Sequence, residues 1–260
     1  MNPLIYAPLV TPLSDTGEVC VRSVRRLVDC RRDIVSGYVG CLTSGEGWRL
    51  TDEQWFAMIE ALVIAAPDHV VIAGIERSTT EGVLELASAA EELGAQGIMI
   101  TTPFGEGVSQ QKMIKHYQKV HDATGIDLYI YNESDLSGNI MEPTTLVAIS
   151  KLPRVVGIKE SGNSDEFLAL ANILKTNGLK IFQGWENRLT RSGFADGAIC
   201  SLNNLNPEIC MEAMKRPSEA IERKIEALCR EYRLFEDDWY RYIKRTLVEM
   251  NVISTDLLAG

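Results

Sequence analysis

The feature that most constrains the fold of this chain is an alternation between short apolar runs and stretches in which apolar residues recur at helical spacing. Eight such runs occur, at 4–11, 38–42, 70–74, 97–101, 127–131, 155–159, 179–183 and 197–201. Short continuous apolar runs are typical of strands that are buried on both faces, as in parallel sheets. The remaining stretches predict helices at 19–35, 51–66, 80–93, 109–123, 143–151, 165–175 and 191–194, with helix alone after Pro207.

Eight strand–helix units within 260 residues predict an α/β protein, a single (β/α)8 barrel of the triosephosphate isomerase type. We expect the barrel at residues 1–204 and a shortened C-terminal helical extension packed on it at residues 205–260. The main rival is an open doubly wound sheet, which usually has fewer strands and often carries a glycine-rich phosphate loop. No GxGxxG motif and no Walker-type phosphate loop occurs in the sequence, which favours the barrel.

Charge and cysteine spacing exclude several classes of function. A net charge of −10 argues against nucleic acid or an anionic membrane surface as a partner. The apolar runs are too short for a membrane span and the first residues do not resemble a secretory signal, so we expect a cytoplasmic protein. Six cysteines without CxxC spacing and three scattered histidines predict reduced thiols and no metal site.

The residues at the ends of the strands are the candidates for function, because barrel active sites lie at the carboxyl ends of the strands. These candidates are Thr11, Thr43, Ser44, Glu46, Glu76, Arg77, Thr101, Thr102, Phe104, Tyr131, Asn132, Glu133, Asp135, Lys159, Glu160, Gly184, Trp185, Glu186 and Ser201.

Two of these candidates suggest a reaction. Lys159 ends the buried run Val155–Ile158, and burial lowers the pKa of an amine toward that of a usable nucleophile. Tyr131 ends the adjacent strand, about 4.8 Å away, where a phenol can transfer protons at a Schiff base. Thr43 and Ser44 offer hydroxyl and backbone N–H groups that suit a carboxylate. The plainer alternatives are a surface lysine just past a strand and a core tyrosine.

Several short motifs occur in an order that is familiar from a known enzyme family. The motifs are Leu9-Val10-Thr11-Pro12, Thr43-Ser44-Gly45-Glu46, Val71-Ile72-Ala73-Gly74, Thr101-Thr102-Pro103, Tyr131-Asn132 and Gly157-Ile158-Lys159-Glu160. By their order and spacing, the chain resembles the dihydrodipicolinate synthase/N-acetylneuraminate lyase family. Members of that family are pyruvate-dependent class I aldolases built on a (β/α)8 barrel.

The resemblance implies a mechanism that needs no cofactor. Lys159 would form a Schiff base with pyruvate or another 2-oxo acid, Tyr131 would shuttle protons, and Thr43 with Ser44 would hold the substrate carboxylate. The expected partners are this oxo acid and a second small carbonyl compound, in a homodimer or homotetramer. Further substrate contacts are expected from Glu133, Leu136, Gly184, Glu186 and Ser201.

The chain departs from the synthase pattern at three places. Leu136 stands where synthases have an arginine that grips the second substrate, and Gly184-Trp185-Glu186 resembles the Gly-Tyr-Asp of the neuraminate lyases. Phe104 and Gly105 replace a tyrosine pair, one of which reaches a neighbouring subunit's site to complete a proton relay. The helical tail is shorter than is typical of the family, so its usual tetramer is not assumed.

These departures favour an aldolase or lyase whose second substrate is sugar-acid-like or bears an amino group. Six acidic residues are predicted at the mouth, where they would repel a multiply anionic substrate. They are Glu46, Glu76, Glu133, Asp135, Glu160 and Glu186. Arg77 either replaces the missing arginine or lies on the surface. The alternatives are a Schiff-base dehydratase or hydratase, dihydrodipicolinate synthase proper, and a barrel that binds 2-oxo acids without turnover.

Overall fold

Eight parallel strands close into a barrel in chain order, which confirms the (β/α)8 prediction. The computed structural model describes residues 2–162 and 164–260, without the side chains of residues 164–166. The strands are β1 (Leu4–Pro8), β2 (Gly37–Gly40), β3 (Val70–Ile75), β4 (Gly97–Ile100), β5 (Asp127–Asn132), β6 (Val155–Glu160), β7 (Lys180–Gln183) and β8 (Gly197–Ala198). The barrel closes where Leu4 pairs with Gly197 and Ile5 pairs with Ala198.

Helices surround the barrel and continue past its last strand. They are α1 (Val21–Asp29), α2 (Asp52–Ala65), α3 (Thr80–Glu92), α4 (Gln110–Ala123), α5 (Ser134–Ser137), α6 (Pro143–Ile149), α7 (Ser164–Thr176), α8 (Pro207–Lys215), α9 (Glu219–Glu231) and α10 (Trp239–Glu249). Three 3₁₀ helices lie at Thr43–Gly45, Glu186–Arg191 and Ser201–Asn204. Within residues 2–162 and 164–260, no helix has both the length and the apolar character that crossing a bilayer requires.

The barrel interior is a packed core and not a pore. Tyr6 and Phe182 stack inside it with ring centroids 5.1 Å apart, and Tyr129 lies within 6.3 Å of the Phe182 ring. Aromatic rings of this size fill the space between the strands. The core therefore closes the barrel below Tyr131 and Lys159, and access to these two residues is confined to the carboxyl ends of the strands.

The structure corrects several predicted element boundaries: β1 ends at Pro8 and not at 11, and β8 ends at Ala198 and not at 201. Strand β2 ends at Gly40 and not at Leu42, because Cys41 adopts a positive φ of 57° that no strand continues. Helix α1 ends at Asp29 and not at 35. Just past this end, the Arg31 side chain donates to the carbonyl of Leu27. The helix predicted at 191–194 is wrong.

In place of that helix, a 3₁₀ helix occupies Glu186–Arg191 and ends before Ser192. The Ser192 hydroxyl donates to the carbonyl of Arg188, and the next residue is Gly193. Both features favour a turn over a continued helix.

The C-terminal residues return to the loop that follows β2. Lys244 on α10 forms a fully buried ion pair with Glu46 and donates to the carbonyl of Leu257 at 2.7 Å. The N–H of Ala259 donates to Glu46 Oε2 at 2.8 Å. These contacts tie the end of the chain to one of the strand-end loops. The division into a barrel at 1–204 and an extension at 205–260 stays a prediction.

Candidate active site

A cavity of about 210 Å³ opens at the carboxyl ends of the strands. It is lined by Thr43, Ser44, Tyr131, Glu133, Asp135, Leu136, Lys159, Ser161, Gly184, Trp185, Glu186, Ser201, Leu234 and Trp239. All nine residues predicted as catalytic or substrate-binding are among them. The barrel topology thus brings side chains from five different strand ends and loops to one place.

Lys159 lies at the base of this cavity. Its Cα pairs with Tyr131 on β5 and with Phe182 on β7, and its side chain is 6% exposed. The surface alternative for this lysine is therefore wrong. Burial lowers the pKa of the amine, while the charges of Glu133, Glu76 and Glu186 oppose that shift. The lowered pKa increases the fraction of neutral amine, the form that attacks a carbonyl.

The absence of a side chain at Gly184 makes room for the lysine. A Cβ at this position would lie 2.2 Å from Ser161 Oγ and 3.3 Å from Lys159 Cε. Any larger residue would therefore displace the Lys159 side chain or the serine beside it.

Tyr131 covers the lysine from one side. The Lys159 Nζ atom lies 4.1 Å from the centre of the Tyr131 ring. The Tyr131 hydroxyl is 3.2 Å from Thr43 Oγ1, and burial raises the pKa of the phenol well above its usual range. Tyr131 is therefore a neutral phenol in the resting site, able to donate one hydrogen and to accept another.

Thr43 and Ser44 begin the 3₁₀ helix that follows β2. A residue that follows β1 fixes the position of this helix, since the Thr11 hydroxyl donates to the carbonyl of Gly45 at 2.7 Å. The helix ends at Gly45 and is followed by Glu46, which has a positive φ of 59°. The first N–H groups of a helix lack an acceptor within the helix. Backbone N–H groups and the Ser44 hydroxyl therefore meet at the edge of the cavity, which suits a carboxylate, while the Thr43 hydroxyl donates to Glu76.

Acidic side chains line the opposite side of the cavity. Glu186 is buried, accepts a hydrogen bond from the N–H of Leu202 at 2.9 Å, and has a pKa raised by burial. Burial also raises the pKa of Glu133, which accepts from the N–H of Asp135 at 3.2 Å. Among the described residues that line the cavity, Lys159 alone is basic.

The prediction of an acidic mouth is correct for Glu133, Asp135 and Glu186 only. Glu46 is buried against Lys244, and Glu160 is buried against the amide of Asn132 and the N–H of Gly162. Neither of these two residues lines the cavity, so their prediction as mouth residues is wrong.

Two further candidates also lie outside the cavity lining. Glu76 lies behind Thr43, whose hydroxyl donates to it. Arg77 binds Asp52 and the carbonyl of Gly47, so it does not replace the missing arginine.

Sequence reasoning missed two apolar residues of the cavity wall. Leu234 lies between α9 and α10 and Trp239 is the first residue of α10, so both are far from any strand end. No local pattern marks them, because only the packing of the C-terminal helices brings them to the cavity. Ser161 lies two residues past the predicted end of its strand, so position along the chain could have assigned it to the lining, as it did Trp185.

Comparison with known proteins places this geometry among related enzymes. The model of the dihydrodipicolinate synthetase family matches residues 3–258. The 4-hydroxy-tetrahydrodipicolinate synthase of Methylococcus capsulatus is 30% identical over 258 residues, covering 94% of this chain and 87% of that relative. The enzyme of the same name from Cereibacter sphaeroides is 32% identical over 213 residues, covering 78% of this chain and 71% of that relative.

A solved structure of similar size superposes closely on the whole chain. The dihydrodipicolinate synthase of Acinetobacter baumannii, solved with pyruvate, has a TM-score of 0.88 at 25% identity. The superposition covers 99% of this chain and 92% of the other.

Proposed function

Because the chain belongs to the dihydrodipicolinate synthetase family of Schiff-base, pyruvate-dependent aldolases and lyases, we propose that Lys159 is its nucleophile. The observation that supports this proposal most directly is the pairing of Lys159 with Tyr131 on adjacent strands, with the amine 4.1 Å from the ring. The amine is buried and shares the cavity with the hydroxyls of Thr43 and Ser44.

The first step is formation of the Schiff base. The neutral Lys159 amine adds to the ketone of a 2-oxo acid, and a proton moves from nitrogen to the former carbonyl oxygen. Tyr131 then donates a proton to that hydroxyl, which leaves as water, and the nitrogen lone pair closes the iminium bond. Thr43 and Ser44 hold the oxo-acid carboxylate, which fixes the ketone over the amine.

The iminium is the centre at which carbon–carbon bonds are made and broken. It withdraws electrons from the adjacent carbon, which loses a proton to give an enamine. The enamine attacks the carbonyl carbon of a second substrate, and Tyr131 donates a proton to the new alkoxide. Cleavage is the reverse sequence. The same intermediate also serves a dehydratase or hydratase, which we keep as the second candidate reaction.

The second substrate that suits this cavity is neutral and polar or carries an amino group. Glu133, Asp135 and Glu186 oppose binding of a multiply charged anion, and hydroxyl or ammonium groups pair well with them. Trp185 and Leu136 provide apolar surface for the carbon chain. Because relatives of this chain are named 4-hydroxy-tetrahydrodipicolinate synthases, synthesis of that compound is an alternative reaction for this cavity. Leu136 argues against that alternative.

We also propose a cytoplasmic location and a homodimer or homotetramer. All six cysteines are free, which is typical of a reducing compartment. Leu168 and Ile173 on α7 are exposed by 55% and 49%, and they offer apolar surface to a second copy. Sedimentation velocity measures the oligomeric state directly.

Trapping with borohydride tests the proposed nucleophile. The protein is incubated with pyruvate, reduced with borohydride, digested, and its peptides are mapped by mass spectrometry. We expect a reduced pyruvyl adduct on Lys159 that is absent in Lys159→Ala. Lys180→Ala is the matched control, since Lys180 lies at the opposite end of the neighbouring strand and is exposed. An unmodified Lys159 with pyruvate and other small 2-oxo acids would contradict the proposal.

A further inference from the structure

A buried carboxyl group that none of these steps uses lies directly behind the oxo-acid site. Glu76 follows β3 and is 2% exposed. Its Oε1 accepts a hydrogen bond from the Thr43 hydroxyl at 2.6 Å, while its Oε2 has no hydrogen-bond partner among the described residues. Burying a carboxyl group with one oxygen unpaired costs stability, and such groups concentrate at functional sites.

The neighbouring loop leaves space for this carboxyl group. A Cβ added at Gly47 would lie 3.1 Å from Glu76 Oε2 and 2.0 Å from the carbonyl oxygen of Cys41. The close approach of the loop to Glu76 therefore depends on a glycine at position 47. The glutamate is held by the backbone of this loop on one side and by Thr43 on the other.

A continuous line of oxygen atoms connects Glu76 to the cavity. Thr43 Oγ1 is 2.6 Å from Glu76 Oε1 and 3.2 Å from the Tyr131 hydroxyl. Tyr131 in turn covers the Lys159 amine. Every member of the line belongs to the same chain, so the line is complete without a second subunit.

The charge of Glu76 sets the direction of both hydrogen bonds, because each hydroxyl has one hydrogen to donate. When Glu76 is a carboxylate, Thr43 donates to it and Tyr131 donates to Thr43. When Glu76 is protonated, it donates to Thr43, and Thr43 donates to Tyr131. The phenolic hydrogen of Tyr131 is then free to point at a substrate oxygen.

The groups around Glu76 set its protonation. Burial raises its pKa to about 7, while the Thr43 hydrogen bond and the Lys159 charge oppose the shift. Burial raises the pKa of the nearby Cys41 thiol well above its usual range, so that group is neutral. Arg77 is engaged by Asp52 and by backbone carbonyls. Across the cavity, burial keeps Tyr131 neutral as well.

We propose that Glu76 is the proton reservoir of this aldolase site, exchanging protons with the substrate through Thr43 and Tyr131. Glu76 is a positioning residue in this scheme, since it does not line the cavity. The proposal rests on the proposed function of Lys159.

The enamine step shows how the proton balance closes. A proton leaves the carbon next to the iminium for the Tyr131 oxygen, the Tyr131 proton passes to Thr43, and the Thr43 proton passes to Glu76. The electron pair of the broken C–H bond forms the C=C bond, and the π electrons of the iminium move to nitrogen. The positive iminium and the negative carboxylate are thereby both neutralised. Returning the proton reverses each transfer.

Hydrogen–deuterium exchange at the methyl group of pyruvate tests this relay without any second substrate. Wild-type protein in D₂O is expected to exchange these hydrogens, as followed by proton NMR, with a rate that rises through a pKa of about 7. We expect Glu76→Gln to lose this rise and to slow exchange at pH 8 by roughly a hundredfold, the lower end of the range of general acid–base effects. Borohydride trapping of pyruvate on Lys159 persists in this variant, at a lower rate.

Glu160→Gln is the matched control. Glu160 is also buried with a pKa raised to about 7, but it binds Asn132 and Gly162 and not the line of hydroxyls. Its variant is expected to keep the pH dependence of exchange. An unchanged pH profile in Glu76→Gln, or a profile lost equally in Glu160→Gln, would overturn the relay. Wild-type protein with no adduct and no exchange would instead overturn the proposed function.

Discussion

The buried ion pair between Glu46 and Lys244 allows a quantitative prediction about the C-terminal residues. Both side chains are 0% exposed, and their remaining hydrogen bonds go to the carbonyl of Leu257 and the N–H of Ala259. Glu46 directly follows the 3₁₀ helix that begins with Thr43. The pair therefore connects the end of the chain to the loop that is proposed to hold the oxo-acid carboxylate.

Replacing Lys244 with methionine retains most of the buried chain and leaves the Glu46 charge without its partner. Breaking a buried pair in this way costs about 3–5 kcal/mol. Each kcal/mol lowers the Tm of a domain near this size by about 2–4 °C, so the expected decrease is roughly 6–20 °C. Adding Glu46→Gln removes the unpaired charge, and we expect the double variant to be more stable than Lys244→Met alone.

The assay is thermal unfolding followed by circular dichroism, combined with the pyruvate concentration that half-saturates methyl exchange. That concentration is expected to rise in Lys244→Met, because the loop bearing Thr43 loses its anchor. Lys175→Met is the control, since the Lys175–Asp196 pair is about one-third exposed and is worth at most about 1 kcal/mol. A Lys244→Met variant that melts no lower than the Lys175→Met control would refute the reasoning.

Two shorter predictions concern the cavity. Tyr131→Phe is expected to slow methyl exchange by roughly a hundredfold or more, because the phenol makes every proposed proton transfer. Trapping of pyruvate on Lys159 is expected to continue more slowly. NMR measures the exchange and mass spectrometry the trapping, and equal exchange rates in the variant and the wild type would contradict the role of the phenol. Leu136→Arg introduces a second cation near Glu133 and Asp135. When the activity of this variant is measured with a panel of aldehydes, we expect its substrate preference to shift toward acceptors that bear a carboxylate. An unchanged order of activities across the panel would show that this position does not face the second substrate.

Most of the fold and the location of the site could be predicted because both depend on local patterns. Short apolar runs specify strands that are buried on both faces, and closing eight of them brings all their carboxyl ends together. Lys159 and Tyr131 each end such a run, so their proximity follows from topology once the strands are counted. The same count explains why Glu186 and Ser201 reach the cavity although they are distant from Lys159 along the chain.

The parts that could not be predicted depend on partners far along the chain. Glu46 has the local pattern of a mouth residue, but Lys244 and the N–H of Ala259 hold it in the protein interior. Leu234 and Trp239 reach the cavity only through the packing of the C-terminal helices. No pattern of neighbouring residues encodes contacts of this range.

Acidic residues that look alike at the strand ends therefore have different roles, and the difference lies in their hydrogen-bond partners. Glu186 accepts from the backbone and faces the cavity, whereas Glu76 accepts from a hydroxyl that itself reaches Tyr131. In the proposed complex, an oxo-acid carboxylate held at the start of this 3₁₀ helix would be separated from Glu76 by that hydroxyl. Like charges this close disfavour one another, so binding favours the protonated form of Glu76.

Protonated Glu76 is the form that the first half of the proposed reaction requires. It turns the phenolic hydrogen of Tyr131 toward the substrate, where that hydrogen is donated as the carbinolamine hydroxyl leaves as water. The same transfer converts Glu76 into a carboxylate as the iminium forms. The carbon next to the iminium must then lose a proton. The next transfer returns a proton to Glu76. Thr43 thus couples the binding of the oxo acid to the protonation of Glu76, which supplies a proton when the iminium forms and accepts one when the enamine forms.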